Sequence, residues 1–390
     1  MKIRTLSPLV VLALLLSSCG NPVTEAPAET ASTPASQEVS NSDTTGALLI
    51  WESADRPCET AAITPGSLST GECGSPLTIV SAQITEHSSR FSQLSSLYAP
   101  FTAETPAGNL IFKGFGVLVP SDAEKRALAE WARLMFQIAQ AGRTGASWGR
   151  AFAWNREGGP GGFCDNVVVY LTGWVTASDC KGYNVQGYLT ASQLDQLYIW
   201  VDSLTVVDHT QTFPAETGGL KMTLALAGNG QAQADDQTLQ DIFEFAATLY
   251  TELGYAAEAG ADVRDAQQVL EDYLTALHLG DYNSASTLYG DDVSLLQTWN
   301  PDLGDNLPAL FERACRQNGL QCLAPRSITY RAPEADGYHF YVEFNNEDFT
   351  LFRQGPCCGE TGGIPVSMFS FYVEKRSGGL AVTDLPPYAP

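Results

Sequence analysis

Positive charge is scarce in this chain of 390 residues, which sets 21 Lys and Arg against 44 Asp and Glu for a formal net charge of −23. So few cations exclude a nucleic-acid partner, because gripping phosphates takes clustered Lys and Arg. They also argue against docking onto anionic lipid headgroups. Charged residues of both signs reach only 17% while hydrophobic residues make up 44%, a composition that buries cores rather than staying disordered. Histidine is as sparse. His87, His209, His278 and His339 stand alone, none with another histidine three or four residues on, so the usual frame of a catalytic zinc site is missing. Beyond Leu16 no apolar run approaches the roughly 20 residues that a membrane-spanning helix needs.

The one long apolar run is at the start. Lys2 and Arg4 precede Pro8–Leu16, which is too short to span a bilayer and reads as an export signal. It leads into Leu16-Ser17-Ser18-Cys19, which resembles the bacterial lipobox. The resemblance implies that residues 1–18 are a signal peptide, that cleavage falls before Cys19, and that the Cys19 sulfur and the new amino terminus are acylated. Several acyl chains anchor stably where one does not. The lipid bilayer is then a partner, and the protein sits outside the cytoplasm, on the cell surface or the periplasmic face. Residues 19–46, rich in Ala, Ser, Thr, Pro and Glu, read as a flexible tether.

Nine cysteines less the lipidated one leave eight, an even number that suggests disulfides in an exported protein. Cys58 and Cys73 bracket a Gly/Ser/Thr/Pro-rich loop and are expected to pair. Cys164 and Cys180 flank two strand-like runs and are expected to clip that hairpin. Adjacent Cys357 and Cys358 are expected each to bridge to one of Cys315 and Cys322, with the pairing open. A four-cysteine zinc site is the rival, but the paired Cys-x-x-Cys knuckles it favours are absent. No metal or cofactor is expected.

Two α+β regions follow from the periodicity. Residues 47–260 hold a strand at Leu110–Pro120 and a capping-box helix from Ser121 to near Gly142, with Leu128, Trp131, Met135 and Ile138 on one face. A strand at Ala151–Arg156 leads to Gly158-Gly159-Pro160-Gly161-Gly162, then a hairpin of Asp165–Leu171 and Trp174–Ser178. A second capping box at Thr190–Gln193 opens a helix, Leu220–Ala227 alternates as a strand, and a last helix from about Asp236 ends at Gly254. Residues 261–390 read as three helices, ending at Gly280, Gly290 and near Gly319, and then strands at Ser327–Arg331, Tyr338–Phe344, Phe349–Arg353, Val366–Glu374 and Leu380–Val382.

The second region, with Tyr273-Leu274-Thr275-Ala276-Leu277, Gly280-Asp281-Tyr282, Ala285 and Leu288-Tyr289, resembles the nuclear transport factor 2-like superfamily. The resemblance implies three helices on a curved sheet that forms an open cone. In the first region, residues 148–255, with the turn Gly158–Gly162, resemble emfourin, a bacterial inhibitor of thermolysin-type metalloproteases whose turn reads Gly-Gly-Phe-Ala-Gly. Pro160 and Gly161 depart from that turn, and Cys164 and Cys180 are additions. The resemblance implies an inhibitor-like fold and, as a partner, a secreted protease, with Gly158, Gly159, Pro160, Gly161 and Gly162 as candidate contacts.

Other motifs carry less. Gly145-Ala146-Ser147-Trp148-Gly149 matches a nucleophile-elbow string but lacks the strand-then-helix context. Asp291, Asp292, Asp302, Asp305 and Asn306 lack the spacing of a calcium-binding EF-hand and read as caps. Tyr289, Asp291, His339 and Asp348 are the polar groups that a cone would have to bring together for acid–base chemistry. Trp148, Trp154, Tyr170, Trp174, Tyr183, Tyr188 and Trp200 crowd near the glycine-rich turn and read mostly as core. The expectation is a lipid-anchored, non-catalytic binding protein that inhibits a secreted metalloprotease. Small-molecule binding or isomerase-type activity in the cone, and a structural surface role, are the alternatives.

Overall fold

The computed structural model describes residues 46–73, 75–79, 91–141, 149–214, 218–355 and 365–389. The fold is α+β, with three antiparallel sheets among the described residues. The first sheet holds β1 (Leu49–Glu52), β2 (Thr60–Ile63), β3 (Leu68–Glu72), β4 (Ser75–Ile79), β5 (Phe101–Thr105) and β6 (Gly108–Phe112). Helix α1 (residues 91–97) precedes β5, and α2 (Asp122–Ala141) follows β6. The second sheet holds β7 (Arg150–Gly158), β8 (Phe163–Tyr170), β9 (Trp174–Ser178), β10 (Asn184–Tyr188), β11 (Val207–Thr212) and β12 (Lys221–Leu226). Helix α3 (Ala191–Ser203) precedes β11, and α4 (Asp236–Glu258) follows β12. Helices α5 (Ala261–Leu279), α6 (Tyr282–Leu288), α7 (Ser294–Trp299) and α8 (Leu307–Arg316) then precede a meander of β13 (Ala324–Glu334), β14 (Gly337–Asn345), β15 (Met368–Arg376) and β16 (Gly379–Val382).

The first two sheets are the same architecture written twice. Their strand orders are β4-β3-β2-β1-β6-β5 and β10-β9-β8-β7-β12-β11. The registers also match. Leu49 faces Ile63 and Phe112, as Phe152 faces Val169 and Leu226. Ile63 faces Leu68 as Val169 faces Val175. The loops after β6 and β12 repeat the same hydrogen bonds. Gly116 N donates to Tyr98 O and Leu118 N to Leu97 O, as Gly230 N donates to Leu204 O and Ala232 N to Ser203 O. Each loop needs its glycines, since a Cβ on Gly116 would come within 2.1 Å of the Leu97 carbonyl and one on Gly230 within 2.1 Å of the Ser203 carbonyl. Ser121 caps α2 as Asp235 caps α4. Trp51 and Trp154 take equivalent buried places against Phe136 and Tyr250.

Each repeat closes its own apolar core. The first gathers Leu49, Trp51, Phe112, Ala132 and Met135, and the second Phe152, Trp154, Leu226, Ala246 and Leu249. A third core, with Tyr273, Phe311, Phe340, Phe344 and Phe371, lies between the last four helices and their sheet. Region 47–260 therefore carries two sheets and two cores, and all three cores lie in one compact unit spanning Asn41–Pro390.

Several local expectations change. The strand expected over Leu110–Pro120 ends at Phe112, because Gly114 and Gly116 run against the backbones of Tyr98 and Leu97. The stretch between Cys58 and Cys73 is a hairpin, β2 and β3, rather than a loop. Helix α4 runs past Gly254 to Glu258, and Gly254 gives clearance rather than a stop: a Cβ there would lie 2.8 Å from Tyr183 Oη. The strand expected at Phe349–Arg353 reduces to an isolated bridge between Asn345 and Leu351, beside a turn in which Phe349 takes φ 63°. Helices α1 and α7 were not foreseen. Strands β1 to β5, β10 and β11 were not foreseen either.

Candidate functional site

The glycine-rich turn sits at the tip of the β7–β8 hairpin. Gly158, Gly159 and Gly162 have φ of 78°, 73° and 56°, a region that suits glycine because it has no Cβ. The tip is also backed by a second one. Gly159 N donates to Gly218 O at 3.1 Å, and a Cβ on Gly158 would come within 2.8 Å of Gly219 O. Gly158 and Gly159 are thus held by close approach of two hairpins, while Pro160, Gly161 and Gly162 are exposed.

Below the tip, Arg156 donates from Nε to Asp165 Oδ2 at 2.8 Å and lies 4.0 Å over the Phe163 ring. Cys164 bonds Cys180, joining the start of β8 to the chain just after β9. Cys58 bonds Cys73 at the equivalent place in the first repeat, with Cα atoms 5.0 Å apart. Cys315 bonds Cys322, contrary to the expected bridges to the adjacent pair. The chain turns back at Gly319, where φ is 86°, and brings the two Cα atoms to 5.5 Å. Cys357 and Cys358 lie outside the described residues, as do Cys19, the tether, Trp148 and most of the Gly145–Gly149 string.

The polar residues singled out in the last unit do not converge. Tyr289 stacks on Tyr273 and donates to the Asp292 carbonyl, and burial pushes its hydroxyl up. His339 pairs with Glu334 at 2.7 Å and lies against Tyr372. Asp291 is exposed, and Asp348 accepts from Thr350 in an exposed turn. The acidic loop is occupied by local bonds: Asp292 accepts from Ser294 N, Asp302 pairs with Arg313, Gln297 donates to Asp305, and Asn306 caps α8. Among the described residues no group of three or more His, Cys, Asp and Glu could hold a metal ion. Of the aromatic group, Trp154 and Trp200 are core, while Tyr170 stacks on Trp174 and Tyr183 packs tilted against Tyr250.

What the sequence did not reveal is a polar seam where the three units meet. Arg326 on β13 is nearly buried and donates to Glu124 of α2 at 2.9 Å, to Asn345 Oδ1 at 3.1 Å and to the Val119 carbonyl at 3.2 Å. Tyr98 Oη donates to the same Glu124 at 2.7 Å. Glu343 on β14 is 4% exposed and accepts from Ser192 N at the start of α3 and from Ser327 Oγ, both at 3.0 Å. Burial pushes its carboxyl up, while the helix N-terminus and the hydroxyl favour the charged form. A cleft of about 530 Å³ opens beside the seam, walled by Trp131 of α2, Trp174 and Leu194 of the second repeat, and Glu124, Thr329 and Glu343.

No protein-family model matches the sequence, and no curated protein matches it significantly. The three disulfides fit an oxidising, extracytoplasmic compartment. Among the described residues, no helix is long and apolar enough to cross a membrane.

Proposed function

We propose that the protein is a lipid-anchored, extracytoplasmic binding protein, held to the bilayer through acylated Cys19 and docking a partner, a secreted metalloprotease, at the tip of the second repeat. One observation carries this reading: the tip is exposed at Pro160–Gly162 yet braced from three sides, by the Gly218–Gly219 hairpin, the Arg156–Asp165 pair and the Cys164–Cys180 bond. A loop already fixed in shape loses little entropy on binding. The likeness of residues 148–255 to emfourin names the partner class.

The test is inhibition of a thermolysin-type metalloprotease by the full chain and by its Pro160→Asp variant. Pro160 is the better site to change, because bulk at Gly158 would break the hairpin packing itself. Inhibition by the parent chain and not by the variant supports the reading. Undiminished protease activity at large molar excess of the parent chain removes it. Anchoring is read separately, as transfer of the Cys19→Ser chain from the membrane fraction to the soluble fraction.

A further inference from the structure

We infer that the cleft between the two repeats and the last sheet is a binding site for a small organic cation, a quaternary or protonated amine. Its volume of about 530 Å³ is that of a small-molecule pocket, and it lies where three units meet, a frequent place for such sites.

The charge of the lining selects the sign of the ligand. Glu124 and Glu343 face the cleft, and among the described residues no Lys, Arg or His lines it. Glu124 is matched from behind by Arg326. Among the described residues, Glu343 receives hydrogen bonds only from neutral groups, the amide and hydroxyl of Ser192 and the hydroxyl of Ser327. The cleft therefore offers one carboxylate without a cation bonded to it, which repels an anion and attracts a cation. The net charge of −23 raises the local concentration of cations further.

The aromatic walls select its type. Trp131 stacks on Phe91 at 5.3 Å between ring centres, Trp174 stacks on Tyr170 at 5.2 Å, and Tyr98 completes the wall. Indole faces attract a weakly hydrated ammonium, and next to a carboxylate they favour it over a neutral ring of the same size. The repeat shows that the fold does not require these indoles. The register that equates Ile63–Leu68 with Val169–Val175 puts Ser67 at the place of Trp174. The helix caps that equate Ser121 with Asp235 put Phe245 at the place of Trp131. Two equivalent frameworks fold with and without them, and here both indoles line the cleft.

The experiment uses the full chain and three probes: choline, its neutral isostere 3,3-dimethylbutan-1-ol, and N-acetylglucosamine. Binding is read by tryptophan fluorescence and confirmed by calorimetry. Choline is expected to bind saturably, and the isostere at least about tenfold more weakly. Trp174→Ser, which installs the residue of the other repeat, is expected to weaken choline by about tenfold or more in a chain that stays folded. Glu343→Gln is expected to weaken choline while leaving the isostere unaffected. The inference is overturned if choline shows no saturable binding below about 100 mM, if the isostere or the sugar binds as well as choline, or if Trp174→Ser binds like the parent chain.

Discussion

Glu252 shows how much a single buried group sets. It lies on α4, where Gln193 of α3 donates to its Oε2 at 3.3 Å and Arg331 of β13 approaches its Oε1 at 3.8 Å without a hydrogen bond. Burial lifts its carboxyl to about 7, against an ordinary value of 4.5. The folded chain holds this proton more tightly than the unfolded chain does. Stability therefore falls as pH rises from about 4.5 to about 7, and the loss is complete above that. Glu252→Gln is expected to gain about 1–3 kcal/mol at about pH 8 and almost nothing at about pH 5, measured by urea unfolding. Equal gains at both pH values would contradict this assignment. Gly116→Ala is expected to cost more than about 2 kcal/mol by the same measurement, because its Cβ would meet the Leu97 carbonyl at 2.1 Å. The capping residues were legible in sequence, since Ser121 with Glu124 and Thr190 with Gln193 are local patterns, and both boxes form. The support of Gly158 by Gly219 was not legible, because the two tips are about sixty residues apart and no local signal joins them.

At the scale of elements, the long helices and the longer alternating strands were readable, while the short strands were not, β1 and β3 among them although both alternate. Lys221–Leu226 alternates with Leu224 and Leu226 buried, and the period shows in its sequence. β10 (Asn184–Tyr188) pairs only with β9, at a sheet edge, and has no buried residue, so it leaves no apolar pattern to read. The repeat was hidden for a different reason. Its cores exchange Leu49 for Phe152 and Phe112 for Leu226 at fixed register, so hydrophobicity is kept and identity is lost. What survives is where chemistry or close approach allows one residue type: Trp51 and Trp154, the two disulfides, and Gly114 and Gly116 against Gly228 and Gly230. Replacing Cys164 and Cys180 by Ala is expected to cost about 2–4 kcal/mol in thermal or urea unfolding, and replacing Cys58 and Cys73 a similar amount, because each closes a loop of nearly equal length. A negligible cost at either place would show that its hairpin is held by the sheet alone.

For the whole molecule, the seam decides whether three cores behave as one. Arg326 is nearly buried and joins the last sheet to α2 of the first repeat, and Glu343 joins it to α3 of the second. Arg326→Met leaves Glu124 half-covered without its cation, and removing one partner of a buried pair costs about 3–5 kcal/mol. In calorimetry the parent chain is expected to melt in one main transition and the variant in two, as the C-terminal unit separates from the repeats. A single transition in both would assign the coupling to apolar contacts. None of this was readable from the sequence, because the partners come from three units and only folding brings them together.

On the proposed function the second repeat docks a partner at its tip and the first does not, since the equivalent turn of the first repeat carries Ser53–Cys58 and no glycine run. The direct measurement is titration of a thermolysin-type metalloprotease of known active-site concentration with the full chain. Loss of activity at one enzyme per chain is expected, and Pro160→Asp is expected to abolish it. Two enzymes bound per chain, or unchanged activity at molar excess, would contradict it.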